Sequence, residues 1–171
     1  FFIYIIMKKY TEIVNESKND FMKMAIDLAK LSIEKGGGPF GCVIVKDNKV
    51  VGKGHNRVTL NNDPTAHAEI MAIRDACKNL GTFQLEGCEV YTSCYPCPMC
   101  IGAIYWARPS IIYYGATHVD AHDAGFDDKF IYNELKKQDD MKRIPIIQIS
   151  GLKASEVFRK DWLNKKDRME Y

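Results

Sequence analysis

The sequence predicts a three-layer α/β/α domain on one mixed, mostly five-stranded sheet. Three observations lead there. Short strand-like runs alternate with amphipathic helical stretches along the chain. The first two strand runs lie close enough to form a hairpin, so part of the sheet is antiparallel. The later strands are separated by helices, so the rest is at least partly parallel. With 171 residues there is room for one well-stocked core, since a domain near this size buries roughly 70% of its unfolded surface.

The elements follow in order. Asn19 or Asp20 caps a helix running to Lys35, with Phe21, Met24, Ala25, Leu28 and Leu31 on one face and Gly36 as its stop. Gly36-Gly37-Gly38-Pro39 breaks the chain. Phe40 to Val45 and Lys49 to Gly54 read as a hairpin turning at Asp47-Asn48. Arg57 to Asp63 reads as a polar loop. Pro64 and Thr65 open a second helix that ends at Leu80-Gly81. Glu89 to Thr92 is a short strand. Pro96 opens a third helix, which Arg108-Pro109 terminates. Ile111 to Tyr114 and Ile144 to Ile149 complete the strands. Phe130 to Lys137 and Ser155 to Lys166 read as helices.

Composition excludes several classes of function. The chain is 46% hydrophobic and 27% charged, near the globular average, which excludes a disordered or fibrous protein. A net charge of +2 leaves no footprint for duplex nucleic acid. The pairs Lys136-Lys137 and Lys165-Lys166 read as solvated surface. The opening run Phe1 to Ile6 is too short to span a bilayer, and its lysines follow it, unlike those of an export signal. Met7 reads as the natural start, with residues 1–18 as an N-terminal extension and 19–171 as the domain proper. The expected compartment is a reducing cytoplasm, where six cysteines point to metal or catalysis before disulfides.

Two segments carry the chemistry. One is Thr65-Ala66-His67-Ala68-Glu69 and the other Pro96-Cys97-Pro98-Met99-Cys100. Cys97 and Cys100 are spaced to project from one helix face. Two thiolates and an imidazole suit zinc, and three protein ligands leave a fourth position for water. Both segments open helices, whose N-terminal N–H groups favour thiolates and anions. Glu69 beside such a water can take its proton and pass it to a leaving amine.

Each residue alone has a plainer reading. Cys97 and Cys100 could be a redox pair, His67 a satisfied core histidine, and Glu69 a first-turn carboxylate favoured by the helix dipole. Their conjunction, His-Ala-Glu and then Pro-Cys-x-x-Cys, has the form of the zinc deaminase signature. Cys94 leaves one question open. With His67, Cys97 and Cys100 it could close a four-ligand structural site, although Pro96 separates it from the helix. Cys42, Cys77 and Cys88 read as small core residues. His55, His118 and His122 lack partners at informative spacing.

On these segments the sequence resembles the cytidine and deoxycytidylate deaminase superfamily. Within it, the sequence is most similar to the bacterial guanine deaminases. The closer likeness runs from Gly37-Gly38-Pro39-Phe40-Gly41 through Asn62-Asp63-Pro64-Thr65-Ala66-His67-Ala68-Glu69. It continues through Tyr91-Thr92-Ser93-Cys94 and the stretch from Gly102 to Pro109. It takes in Ala124-Gly125-Phe126-Asp127-Asp128, and ends near Asn164-Lys165-Lys166 and Tyr171. The resemblance implies a cytidine-deaminase-like fold, zinc on His67, Cys97 and Cys100, Glu69 as proton shuttle, and hydrolysis of guanine at C2 to xanthine and ammonia. It implies a base contact at Asn56, a substrate-binding acid at Asp128, pocket walls at Phe40 and Trp106, and a pocket-closing Tyr171. It further implies a homodimer exchanging its C-terminal segments. Two departures stand out: Tyr95 replaces a common Glu, and Asp167-Arg168-Met169 comes between Lys166 and Glu170-Tyr171.

The carried-over residues have suitable chemistry. An Asn56 amide both donates and accepts, an Asp128 carboxylate accepts from the N–H groups of guanine, and Phe40 and Trp106 offer rings for stacking. Structural roles compete: Asn56 as a turn residue, Asp128 as a helix cap, Phe40 and Trp106 as core, Tyr171 as a loose end. Other functions also fit the zinc segments. A deaminase of guanosine or another base differs only in its pocket. A tRNA adenosine deaminase should add a basic groove, and a non-catalytic zinc module would need no acid at Glu69.

Overall fold

The structure is a computed structural model that describes residues 16–171. The expected start at Met7 and most of the expected 1–18 extension lie outside the described residues. The chain forms two compact units, one reaching Asp128 and the other running from Lys129 to Tyr171.

The first unit contains α1 (Glu16–Glu34), β1 (Gly41–Lys46), β2 (Lys49–His55), α2 (Val58–Asn61), α3 (Ala68–Leu80), β3 (Glu89–Cys94), α4 (Pro98–Ala107), β4 (Ile111–Ala116) and α5 (His118–Asp123). Its sheet is mixed, with the order β2-β1-β3-β4. β1 runs antiparallel to β2 and β3, and β3 runs parallel to β4. Asp47 and Asn48 both take positive φ, the two-residue turn that matches hairpin twist, and Lys46 pairs with Lys49 across it.

Strand alternation divides the core between the two faces of the sheet. Val43, Val45 and Tyr91 meet Ala25 of α1, flanked by Phe21, Met22, Leu28 and Tyr113. Cys42, Ile44 and Val90 meet Ala68, Ala72 and Ala76 of α3 and Ile104 and Ala107 of α4. Helix, sheet and helices thus make the three expected layers. α3 sits close to β2. A Cβ on Gly54 would lie 2.1 Å from Ala68 O, and one on Gly52 2.6 Å from Ala72 O. Only glycine lets the helix backbone approach the strand this closely.

Several expectations are corrected. Asn19 and Asp20 lie inside α1 rather than capping it, and Asp20 pairs with Lys23 one turn on. The polar loop contains the single turn α2, closed by left-handed Asn62. α5 carries an unforeseen capping box, in which Thr117 accepts from Asp120 N and Asp120 accepts from Thr117 N. The five-stranded sheet has four strands among the described residues. Ile144 to Ile149 forms no ladder, with Pro145 removing one donor from the run.

The second unit comprises α6 (Lys129–Leu135), a 3₁₀ turn (Asp139–Met141), and α7 (Ala154–Glu156) leading into a π-helical turn (Val157–Trp162). Ile144, Ile147, Ile149 and Leu152 are at least three-quarters exposed. β-branched residues make a strand only where a neighbouring edge accepts them. Among the described residues, no helix is long and apolar enough to cross a membrane.

Candidate active site

Two helix entries build the site. At the first, Asp63 Oδ1 accepts from Thr65 N at 2.8 Å and from Thr65 Oγ1 at 2.7 Å, a tight turn just before His67. Arg57 N donates to Ala66 O at 2.9 Å and ties this turn to the end of β2. His67 is not within the helix, as the Pro64-Thr65 opening predicts, but is its N-cap, with extended backbone (φ −69°, ψ 158°). At the second entry, Cys97 is likewise an extended N-cap (φ −68°, ψ 168°), followed by Pro98 and, in the first turn, Cys100. The expected start at Pro96 falls just outside this helix. A cap residue projects over the helix end, so the wheel geometry that separates Glu69 from His67 does not apply.

His67, Cys97 and Cys100 place their ligand atoms within 4.8 Å of one another. His67 Nδ1 lies 3.5 Å from Cys97 Sγ and 3.6 Å from Cys100 Sγ. Tetrahedral zinc, with its usual bond lengths to sulfur and nitrogen, sets such atoms about 3.6 Å apart, so the donor set fits the ion. The thiols are coupled. Cys97 is held down at about 4, chiefly because the Cys100 thiol donates to it, with help from the His67 ring. That bond, followed by burial, pushes Cys100 far up. The bond to Cys97 raises His67.

Glu69 is 6% exposed, on the first turn of α3. Burial raises its carboxyl above the ordinary range. Thr92 Oγ1 donates to its Oε1 at 3.2 Å, and Cys100 Sγ lies 3.4 Å from its Oε2. Cys94 lies outside the group. Its Sγ donates to Thr117 O at 3.4 Å, and burial pushes it up to about 11. The four-ligand arrangement therefore does not form.

The other expected residues divide. Asn56 is buried after β2, and its Oδ1 accepts from Gly38 N at 3.3 Å and Val58 N at 3.2 Å. Both bonds use the oxygen, which leaves Nδ2 as the amide's donor. Asn56 N donates to Phe40 O at 3.0 Å, and the Phe40 ring meets Phe126 edge-on at 4.9 Å. Asp128 is raised by burial and then by the Cys97 thiolate, so it stands within electrostatic reach of the cluster. Trp106 is 64% exposed, more than one turn beyond Cys100 on α4. Tyr171, 70% exposed, ends the second unit. Tyr95 packs edge-on against Tyr114 and His118.

Three residues at the site carry no role in the sequence reading. Thr92 contacts Glu69. Ser93 Oγ accepts from Gly41 N at 3.0 Å, and Ser32 Oγ donates to Asn56 O at 2.9 Å. Their signal is weak: hydroxyls on faces that must be buried, which need partners there.

Comparison with known proteins agrees with this geometry. The family model described as the cytidine and deoxycytidylate deaminase zinc-binding region matches residues 15–116. The chain is 52% identical over 152 residues to a guanine deaminase of Bacillus subtilis, covering 88% of this chain and 97% of that one. A crystal structure of guanine deaminase from Bacillus subtilis superposes with a TM-score of 0.87 at 50% identity, over 92% of this chain and 99% of that one. A tRNA-specific adenosine deaminase of Aquifex aeolicus is 44% identical over 99 residues, covering 58% of this chain and 66% of that one.

Proposed function

This chain belongs to the cytidine and deoxycytidylate deaminase family, and from that premise we propose that it hydrolyses guanine to xanthine and ammonia. The observation that carries the reading is the meeting of His67, Cys97 and Cys100 with the buried Glu69 at two helix ends. The likeness to guanine deaminase along almost the whole chain supports the choice of base.

In this reading His67 Nδ1, Cys97 Sγ and Cys100 Sγ hold zinc. Bound there, zinc supplies a Lewis acid and lowers the pKa of a water ligand to about 7. Glu69 takes a proton from the attacking water and delivers it to the departing 2-amino group. Its burial suits the task, because a carboxyl raised by desolvation holds a proton more readily than an exposed one. Asn56 Nδ2 donates to an acceptor on the base edge. Asp128 accepts from a base N–H. Phe40 and Trp106 wall the pocket and Tyr171 closes it, roles that rest on the family resemblance.

The same reading makes the protein a cytoplasmic homodimer with exchanged C-terminal segments. Among the described residues β4 is the last strand of the sheet, and the isoleucines of 144–149 are largely exposed. Such a run is built to join a sheet edge.

The test is ammonia release across guanine, guanosine, cytosine, cytidine and adenine, with zinc measured on the same preparation. Turnover of guanine by zinc-loaded protein is expected, and its absence refutes the reading. The likeness to tRNA adenosine deaminase supports a second arm. Steeply salt-dependent tRNA binding with inosine formation would favour that reading instead.

A further inference from the structure

We infer that Thr92 is a positioning residue, whose hydroxyl orients the Glu69 carboxylate so that one oxygen faces the cysteine donors. The inference rests on the reading of Glu69 as proton shuttle. Its basis is the division of the two carboxylate oxygens. Oε1 accepts from Thr92 Oγ1 at 3.2 Å, whereas Oε2 lies 3.4 Å from Cys100 Sγ. Only one oxygen is therefore directed at the donor cluster.

The scaffold behind the hydroxyl is rigid. Thr92 is 1% exposed on β3, which lies between β1 and β4. Its backbone pairs with Cys42 on one side and Tyr114 on the other. A β-branched side chain has little rotamer freedom, so a threonine hydroxyl on a doubly paired strand is well fixed in space. Glutamate has three rotatable bonds and gains orientation only from its partners.

Strand parity places the hydroxyl on the correct face. Val90, two residues earlier, enters the core shared with α3 and α4, while Tyr91 enters the opposite core. Thr92 thus puts a polar group on the apolar face directly opposite the first turn of α3. Packing alone would call for valine there. A buried hydroxyl is tolerated because it has a partner, and that partner is Glu69.

With zinc held by His67, Cys97 and Cys100, the Cys100 sulfur would be a thiolate with no proton to give to Oε2. Thr92 Oγ1 then remains as the carboxylate's side-chain donor, on Oε1. Thr92 is the side chain that distinguishes one oxygen from the other.

Thr92→Val preserves shape and removes the hydroxyl. The expected result is a kcat on guanine about 10- to 100-fold lower, with KM within about twofold of the parent and zinc per chain unchanged. Thr92→Ser should recover kcat to within about threefold, because it restores the donor. Parental kcat in Thr92→Val overturns the inference. So does a Thr92→Ser as impaired as Thr92→Val, or a loss that tracks zinc content. If circular dichroism shows Thr92→Val unfolded, Thr92→Ala against Thr92→Ser makes the same comparison. Glu69→Gln is run in parallel. Its continued turnover refutes the shuttle reading itself. An inactive Glu69→Gln beside a fully active Thr92→Val refutes only the role of Thr92.

Discussion

The two faces of the central sheet are packed by different means. Against α1 the sheet presents bulk: Tyr91 stacks on Tyr113 at 4.9 Å and meets Phe21 at 5.3 Å. Against α3 it presents Cys42, Ile44 and Val90 beside two glycines, Gly52 and Gly54, that face Ala68, Ala72 and Ala76. Large aromatics fill volume and stabilise by burial, and beside them Gly41 lets the α1 backbone approach β1, where a Cβ would lie 2.1 Å from Ala25 O. Small residues give up that burial and bring the backbones together. The site lies on the α3 side, where Glu69 reaches both a strand hydroxyl and a cysteine on a neighbouring helix. The α1 face carries the aromatic cluster, and the α3 face carries the site.

Substitutions on the two faces should therefore fail differently. The largest effect is expected for Glu69→Gln. It should lower kcat by about 10³- to 10⁴-fold, or about 4–5.5 kcal/mol, with zinc retained, as turnover and metal analysis will show. Gly54→Val comes next. Its Cβ would sit 2.1 Å from Ala68 O, so α3 must move, at a cost of about 3 kcal/mol or more. Zinc content and kcat should fall together with denaturant stability. Phe21→Ala, on the opposite face, should cost about 2 kcal/mol of stability while leaving kcat and zinc unchanged. If Phe21→Ala loses activity at temperatures where it remains folded, the division between the faces is wrong.

The smallest effect concerns the turn before His67. Asp63 is held below the ordinary carboxylate range by the Thr65 hydroxyl, then by the Thr65 backbone N–H. A carboxyl whose folded pKa is depressed stabilises above its unfolded value and loses that contribution as pH falls through the folded one. Asp63→Ala should thus melt slightly below the parent at neutral pH. The two melting curves should converge as pH falls below about 4. A difference that persists in acid would assign the effect to something other than the charge.

Much of the site can be read before any packing is known. His67, Glu69, Cys97 and Cys100 stand out because only a few chemistries use those donors at those spacings. The helix starts are read less well. Pro64 and Pro96 signal helix entry, but the caps are His67 and Cys97, a shift of one to three residues. Thr92 is hidden because a threonine in a strand is ordinary by propensity. Ile144 to Ile149 reads as a strand for the same reason, and fails as one because a ladder needs a partner that composition cannot supply.

The sequence by itself determined the donor set, the three layers and the mixed character of the sheet. These follow from residue chemistry and local periodicity, which act over a few positions. Only the tertiary structure decided that His67 and Cys97, thirty residues apart, meet at 3.5 Å. It also turned Cys94 toward Thr117 and Thr92 toward Glu69. The reason is geometric. How near two helix ends come depends on the side chains filling the space between them. Here Gly52 and Gly54 set α3 tightly against β2, and Ile104 and Ala107 of α4 share its core.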